Sequence, residues 1–121
     1  MAMTNRELGA WGERAAAGYL EKKGYVISAV NYRTRLGEID IICERGGFVA
    51  FIEVKLRKSR GYAHAREYVT AAKQRKIRSA ALSWLQDNAS SKQPRFDVIE
   101  IYAPLGENTQ RLEIVHIENA F

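Results

Sequence analysis

The residues best suited to chemistry lie between Gly37 and Lys55, in the stretch GEIDIICERGGFVAFIEVK. Two apolar runs rich in β-branched and aromatic residues flank Gly46-Gly47, the pattern of a β-hairpin with a two-residue loop. With that loop, opposed positions sum to 93, so Asp40 faces Glu53, Glu38 faces Lys55, Ile42 faces Phe51 and Glu44 faces Val49. Side chains alternate faces along a strand. Glu38, Asp40, Glu53 and Lys55 then share one face, at the end of the hairpin away from the turn. Ile39, Ile41, Cys43, Ala50, Ile52 and Val54 form an apolar opposite face. Directly opposed side chains are roughly 4.5–5.5 Å apart at Cβ, where two carboxylates repel unless a cation lies between them. A hard divalent ion such as Mg²⁺ needs only one or two carboxylates, completed by water and phosphate oxygens. Lys55 points the same way as Glu53 and is placed to stabilise a developing negative charge or to help deprotonate a water.

The same residues also fit an amphipathic hairpin with one wet face, in which Glu38 and Lys55 are an ordinary cross-strand ion pair. Ile42 and Phe51 on that face argue against plain solvation. A register slip of one residue would carry Glu53 to the other face and remove the site.

The elements around the hairpin follow from pattern. Thr4 and Glu7 form a capping box that opens a helix, which the spacing carries to about Lys23 with Gly24 as its C-cap. Glu13 sits at the edge of that helix's apolar stripe, where it either reaches a neighbouring sheet or faces solvent. Tyr25–Tyr32 reads as a strand, and Arg33 to Leu36 as a short basic connection in which Arg33 and Arg35 either touch phosphates or are simply solvated. After Lys55 the chain turns irregular and basic, with Arg57, Lys58, Arg60, His64 and Arg66 around Gly61 and Tyr62. Such a loop suits a phosphate backbone, with Tyr62 or Tyr68 stacking on a base, or is a surface loop without a partner. A second helix is expected from Val69 or Thr70 to about Asp87, with Lys73 one turn before Ile77 on the apolar face. A lysine there suits an anionic ligand or snorkels to solvent. Phe96–Tyr102 and Arg111–Ile117 read as two strands that pair through the linker APLGENTQ. The order αβββαββ predicts a mixed central sheet flanked by helices.

Composition bounds the rest. A chain of 121 residues, 46% hydrophobic and 27% charged, predicts one ordinary globular domain. The net charge of +5 suits a polyanionic partner. The lone Cys43 excludes an internal disulfide, and nothing suggests a zinc cluster. No apolar run reaches the ~18 residues of a membrane span, and no signal core opens the chain, so a cytoplasmic protein with no membrane partner is expected.

Gly37-Glu38-Ile39-Asp40, twelve further residues, then Glu53-Val54-Lys55 resembles the core of the PD-(D/E)xK nuclease superfamily, with Ile39 in place of its proline. Glu13 ahead of the sheet, Lys73 behind it and Arg95-Phe96-Asp97-Val98 complete an ordered set that resembles the YraN family of small bacterial proteins over roughly residues 7 to 117. The resemblance implies a restriction-endonuclease-like fold. It also implies Mg²⁺- or Mn²⁺-dependent hydrolysis of phosphodiester bonds; with no element that resembles a base-reading recognition helix, structured or branched DNA is the expected substrate. Asp40, Glu53, the Val54 carbonyl and Glu13 would hold the metal, and Lys55 would act with Asp40 and Glu53 in catalysis. Lys73, Arg33, Arg57 and Arg60 would grip the nucleic-acid backbone, and resolvase-like relatives imply a homodimer. The alternative is a non-catalytic nucleic-acid-binding module on the same fold, acting in a repair or recombination complex.

Overall fold

A computed structural model describes residues 3–58 and 69–121. The first helix, α1 (Asn5–Lys22), starts at the expected capping box: Thr4 Oγ1 accepts from the Glu7 amide at 3.1 Å, and Glu7 Oε1 accepts from the Thr4 amide at 3.2 Å. Its end is a Schellman turn. Gly24 takes φ 90°, and the Tyr25 amide reaches back to the Leu20 carbonyl at 3.0 Å.

Five strands follow in chain order, which is also their order in the sheet: β1 (Val26–Arg33), β2 (Glu38–Arg45), β3 (Phe48–Arg57), β4 (Gln93–Tyr102) and β5 (Glu113–Ile117). Neighbours are antiparallel except β3 and β4, which run parallel because the second helix, α2 (Ala71–Asp87), lies in the connection between them. The architecture is a mixed α/β sheet with two helices, compatible with the restriction-endonuclease-like expectation. No helix of the described residues is long and apolar enough to cross a membrane.

Each helix builds one half of the core. Ala16 and Leu20 of α1 pack with Ile41, Cys43, Ala50, Ile52, Ile99 and Ile101. Ile77, Ala80, Ala81 and Trp84 of α2 pack with Ile42, Val49, Phe51, Phe96 and Val98. Phe51 ties that second layer together, edge-on to Trp84 at 5.9 Å and stacked on Phe96 at 5.5 Å. Central strands covered on both faces explain the near-continuous apolar runs of β3 and β4. Cys43 is buried as expected, and burial pushes its thiol up to about 12.

Three local expectations need correction. β4 starts at Gln93 rather than Phe96, although Pro94 lies within it. β5 pairs with β4 only from Val98 to Tyr102, so Pro94 sits on a stretch of strand with one open side, where a missing donor is tolerated. β5 starts at Glu113 rather than Arg111, because its partner strand ends at Tyr102. The hairpin has the expected register from Arg45↔Phe48 to Ile41↔Ile52 and then leaves it. The Asp40 carboxylate, instead of opposing Glu53 across a ladder, accepts the Val54 amide at 2.8 Å. Ile39 accordingly packs in the α2-side cluster and not beside Ile41. The irregularity extends into β1, where Asn31 takes φ 56° between the pairs Val30↔Ile41 and Tyr32↔Ile39. That left-handed backbone breaks the pleat where the chain passes Asp40.

Candidate functional site

The site forms where the β2–β3 ladder ends. Glu53 is buried at 6% exposure, and Asp40, its carboxylate on the Val54 amide, lies near enough to feel its charge. Burial first, and then the charge of Glu53, push the Asp40 carboxyl up to about 7; the Val54 hydrogen bond and Lys73 act the other way. Glu13 arrives from α1. Its carboxyl is raised by burial and by the charges of Glu38 and Glu53, which places it in the same field of acids. The exposed-helix alternative for Glu13 is therefore replaced by a half-buried residue facing the sheet.

Two lysines answer these acids. Lys73 of α2 hydrogen-bonds Glu53 Oε1, and Lys55 Nζ lies 3.7 Å from the same oxygen. Burial lowers the Lys73 ammonium, but the hydrogen bond to Glu53 together with the charges of Glu53 and Asp40 holds it above its ordinary value. Burial, with the Lys73 charge beside it, lowers that of Lys55. The expected Glu38–Lys55 cross-strand pair is not formed. Glu38 instead lies 3.6 Å from Arg33, and Lys55 turns to Glu53.

The remaining cations divide into two groups. Arg57 Nε is 3.1 Å from Glu100 Oε2, with its side chain 19% exposed, so it braces β3 against β4. Arg33 is exposed and lines a groove of about 580 Å³ between the β1–β2 turn and the start of α2. Arg35, Lys73 and Lys76 line the same groove. Arg60, His64 and Arg66 of the basic segment, with Tyr62 and Tyr68, lie outside the described residues.

A hard cation fits this chemistry in a limited sense. Among the described residues no three His, Cys, Asp or Glu side chains converge to hold a metal unaided. Mg²⁺ does not need three, because one or two carboxylates with water and phosphate suffice. A carboxylate whose ionised form is disfavoured by burial and by a neighbouring carboxylate is the electrostatic deficit that such an ion relieves. The elevated Asp40, and two ammonium groups gathered on Glu53, show a pocket that demands positive charge.

The Arg95-Phe96-Asp97-Val98 segment has a different place. Asp97, fully buried, accepts from Arg95 Nε at 2.9 Å and from the Asn119 amide at 2.9 Å, and meets His116 Nε2 at 2.8 Å. Arg95 also bonds the Tyr25 hydroxyl. This network ties β4 to β5 and to the α1–β1 junction, on the α1 side of the sheet.

Comparison with known proteins agrees with the whole-chain pattern. The profile of the uncharacterised protein family UPF0102 matches residues 12–101. A UPF0102 protein of Syntrophomonas wolfei is 42% identical over 118 residues, covering 97% of this chain and 99% of its own. A UPF0102 protein of Rhodococcus jostii is 42% identical over 97% of this chain and 98% of its own. One from Symbiobacterium thermophilum is 45% identical over 119 residues, covering 97% and 98% of the two chains.

Proposed function

We propose that this chain, which belongs to the uncharacterised protein family UPF0102, also called YraN, is a divalent-metal-dependent nuclease acting on structured or branched DNA. The observation that carries the reading is the charge of buried Glu53 acting on Asp40, with Lys55 3.7 Å from Glu53 and Lys73 joining Glu53 to a cation-lined groove. Asp40 and Glu53 would hold Mg²⁺ or Mn²⁺, with the Val54 carbonyl and Glu13 completing its surroundings. The ion supplies Lewis acidity toward a phosphate oxygen and makes nearby water more acidic.

The chain's own residues do the rest. The Val54 amide fixes the Asp40 carboxylate in one orientation. Lys55, its ammonium lowered by burial, is suited to orient the attacking water and to compensate charge on the phosphate as it builds. Arg33 and Lys73 lie in the groove where a strand's phosphates would run, and Arg57 ends β3 beyond Lys55. None of these elements is a recognition helix presenting base-reading side chains, so grip on the backbone favours shape over sequence.

The test is cleavage of branched and linear DNA with Mn²⁺ by the wild type and by Asp40→Asn. Cleavage should fall by about 10²-fold or more, while salt-sensitive binding persists. Equal cleavage by the variant rules the reading out. A second reading, a binding module without catalysis, is favoured by Lys73 standing on Glu53. It requires that neither Mg²⁺ nor Mn²⁺ binds or raises thermal stability while DNA binding remains.

A further inference from the structure

Lys73 belongs to two neighbourhoods at once. Its ammonium is bonded to Glu53, yet its side chain lines the groove with Arg33, Arg35 and Lys76. One acid, Glu38, lines that groove as well, and Arg33 lies 3.6 Å from it. The groove walls are fixed by close contact. A Cβ added at Gly37 would stand 2.5 Å from the Lys76 carbonyl oxygen, so the turn rests directly on the α2 backbone. The turn uses its own amides internally, with those of Leu36 and Gly37 donating to Thr34 Oγ1 at 3.0 and 3.1 Å. Recognition of a ligand in the groove therefore falls to the side chains.

We propose that Lys73 is a built-in counter-cation that a divalent ion displaces from Glu53, and that the released ammonium completes a phosphodiester-binding groove with Arg33, Arg35 and Lys76. This rests on the metal-binding reading of Asp40 and Glu53 given above. A divalent ion and an ammonium cannot share one carboxylate oxygen without strong repulsion. Lys73 is the cation that yields, because its side chain is 42% exposed and has the groove to turn into, whereas that of Lys55 is 22% exposed. A strand phosphate in the groove draws the same ammonium in the same direction. Metal and strand then raise each other's affinity by one common factor, as linkage requires.

Mn²⁺ affinity is measured by calorimetry, and affinity for a short fluorescein-labelled single-stranded DNA by anisotropy with and without Ca²⁺. The proteins are the wild type, Asp40→Asn, Lys73→Met, Lys73→Gln and Lys76→Met. In the wild type, Ca²⁺ should tighten DNA binding by about fivefold or more. Both Lys73 variants should bind Mn²⁺ more tightly than the wild type and lose most of the Ca²⁺ effect. Lys76→Met should weaken DNA binding and keep the effect. Asp40-dependent Mn²⁺ binding that is unchanged in the Lys73 variants, or a Ca²⁺ effect that survives in them, overturns the inference alone. Absence of Asp40-dependent Mn²⁺ binding in the wild type removes the reading of the acid pair and the inference with it.

Discussion

Asp40 is the residue at which stability and chemistry oppose each other. Its carboxyl sits at about 7 in the folded protein against 3.8 as an ordinary aspartate, for reasons of burial and the neighbouring Glu53. Between those values the folded chain binds more protons than the unfolded chain, so the metal-free protein loses stability as pH rises through that window. Asp40→Asn removes the repulsion while its side-chain oxygen can still accept the Val54 amide. The variant should be more stable than the wild type at pH 8, by about 1–2 kcal/mol after screening, with the gap closing near pH 4. Urea unfolding at the two pH values reads this directly; a variant less stable at pH 8 contradicts the charge assignment. Strand alternation and the Gly46-Gly47 loop made the hairpin legible from Arg45↔Phe48 to Ile41↔Ile52 with no tertiary information, but not the place of Asp40, whose carboxylate takes the Val54 amide. The partnership of Lys73 with Glu53 was not. It depends on how α2 is rotated over the sheet, which helical periodicity leaves open to within a turn.

At the scale of elements, the helix boundaries followed from caps, whereas two features of the sheet did not follow from local pattern. The first is Gly37, which sequence reading treated only as part of a motif. It is needed because the turn before β2 touches the α2 backbone, and an alanine there would meet the Lys76 carbonyl oxygen at 2.5 Å and its carbon at 2.9 Å. Backbone cannot move aside as a side-chain tip can, so Gly37→Ala should destabilise the fold by about 1–3 kcal/mol, seen as a lower urea midpoint at unchanged slope. An unchanged midpoint would mean that the turn and α2 are not in contact. The second is the face change at Ile39, which alternation alone assigned to the α1 side. Period-2 reasoning assumes an unbroken pleat, and the left-handed Asn31 opposite Asp40 breaks it. The Arg95–Asp97–His116 network was likewise visible only as residue types. Its partners come from β5, α1's exit and the chain beyond β5, and cross-element pairing of that kind leaves no periodic signal. Burial raises the Asp97 carboxyl, but hydrogen bonds from His116, Arg95 and the Asn119 amide hold it below its ordinary value. Its contribution is therefore present at neutral pH and is lost as pH falls below about 4. Asp97→Asn leaves the Arg95 guanidinium, 12% exposed, with only the exposed Glu118 carboxylate at 3.6 Å as counter-charge. A loss of about 3 kcal/mol at pH 7 that shrinks in acid is expected, measurable by thermal unfolding across pH.

For the whole molecule, the net charge of +5 understates the field at the groove, where four cations gather. Asp40, Glu53 and Glu13 gather at the end of the β2–β3 ladder, while Arg33, Arg35, Lys73 and Lys76 face the groove beside it with only Glu38 among them. If the groove takes a nucleic-acid strand, binding is dominated by release of the counterions that those cations replace. Four phosphate contacts to a single strand give a slope of log affinity against log salt of about −2.8, at −0.7 per contact. Lys76→Ala removes one contact that plays no part in the acid pair, so its slope should be shallower by about 0.7, with affinity lowered evenly across unrelated sequences. Fluorescence anisotropy over a salt series measures both quantities. A slope that Lys76→Ala leaves unchanged would place the strand elsewhere on the surface. A loss confined to one sequence would mean that bases, not phosphates, are being read, and that the preference for shape drawn from the architecture is wrong.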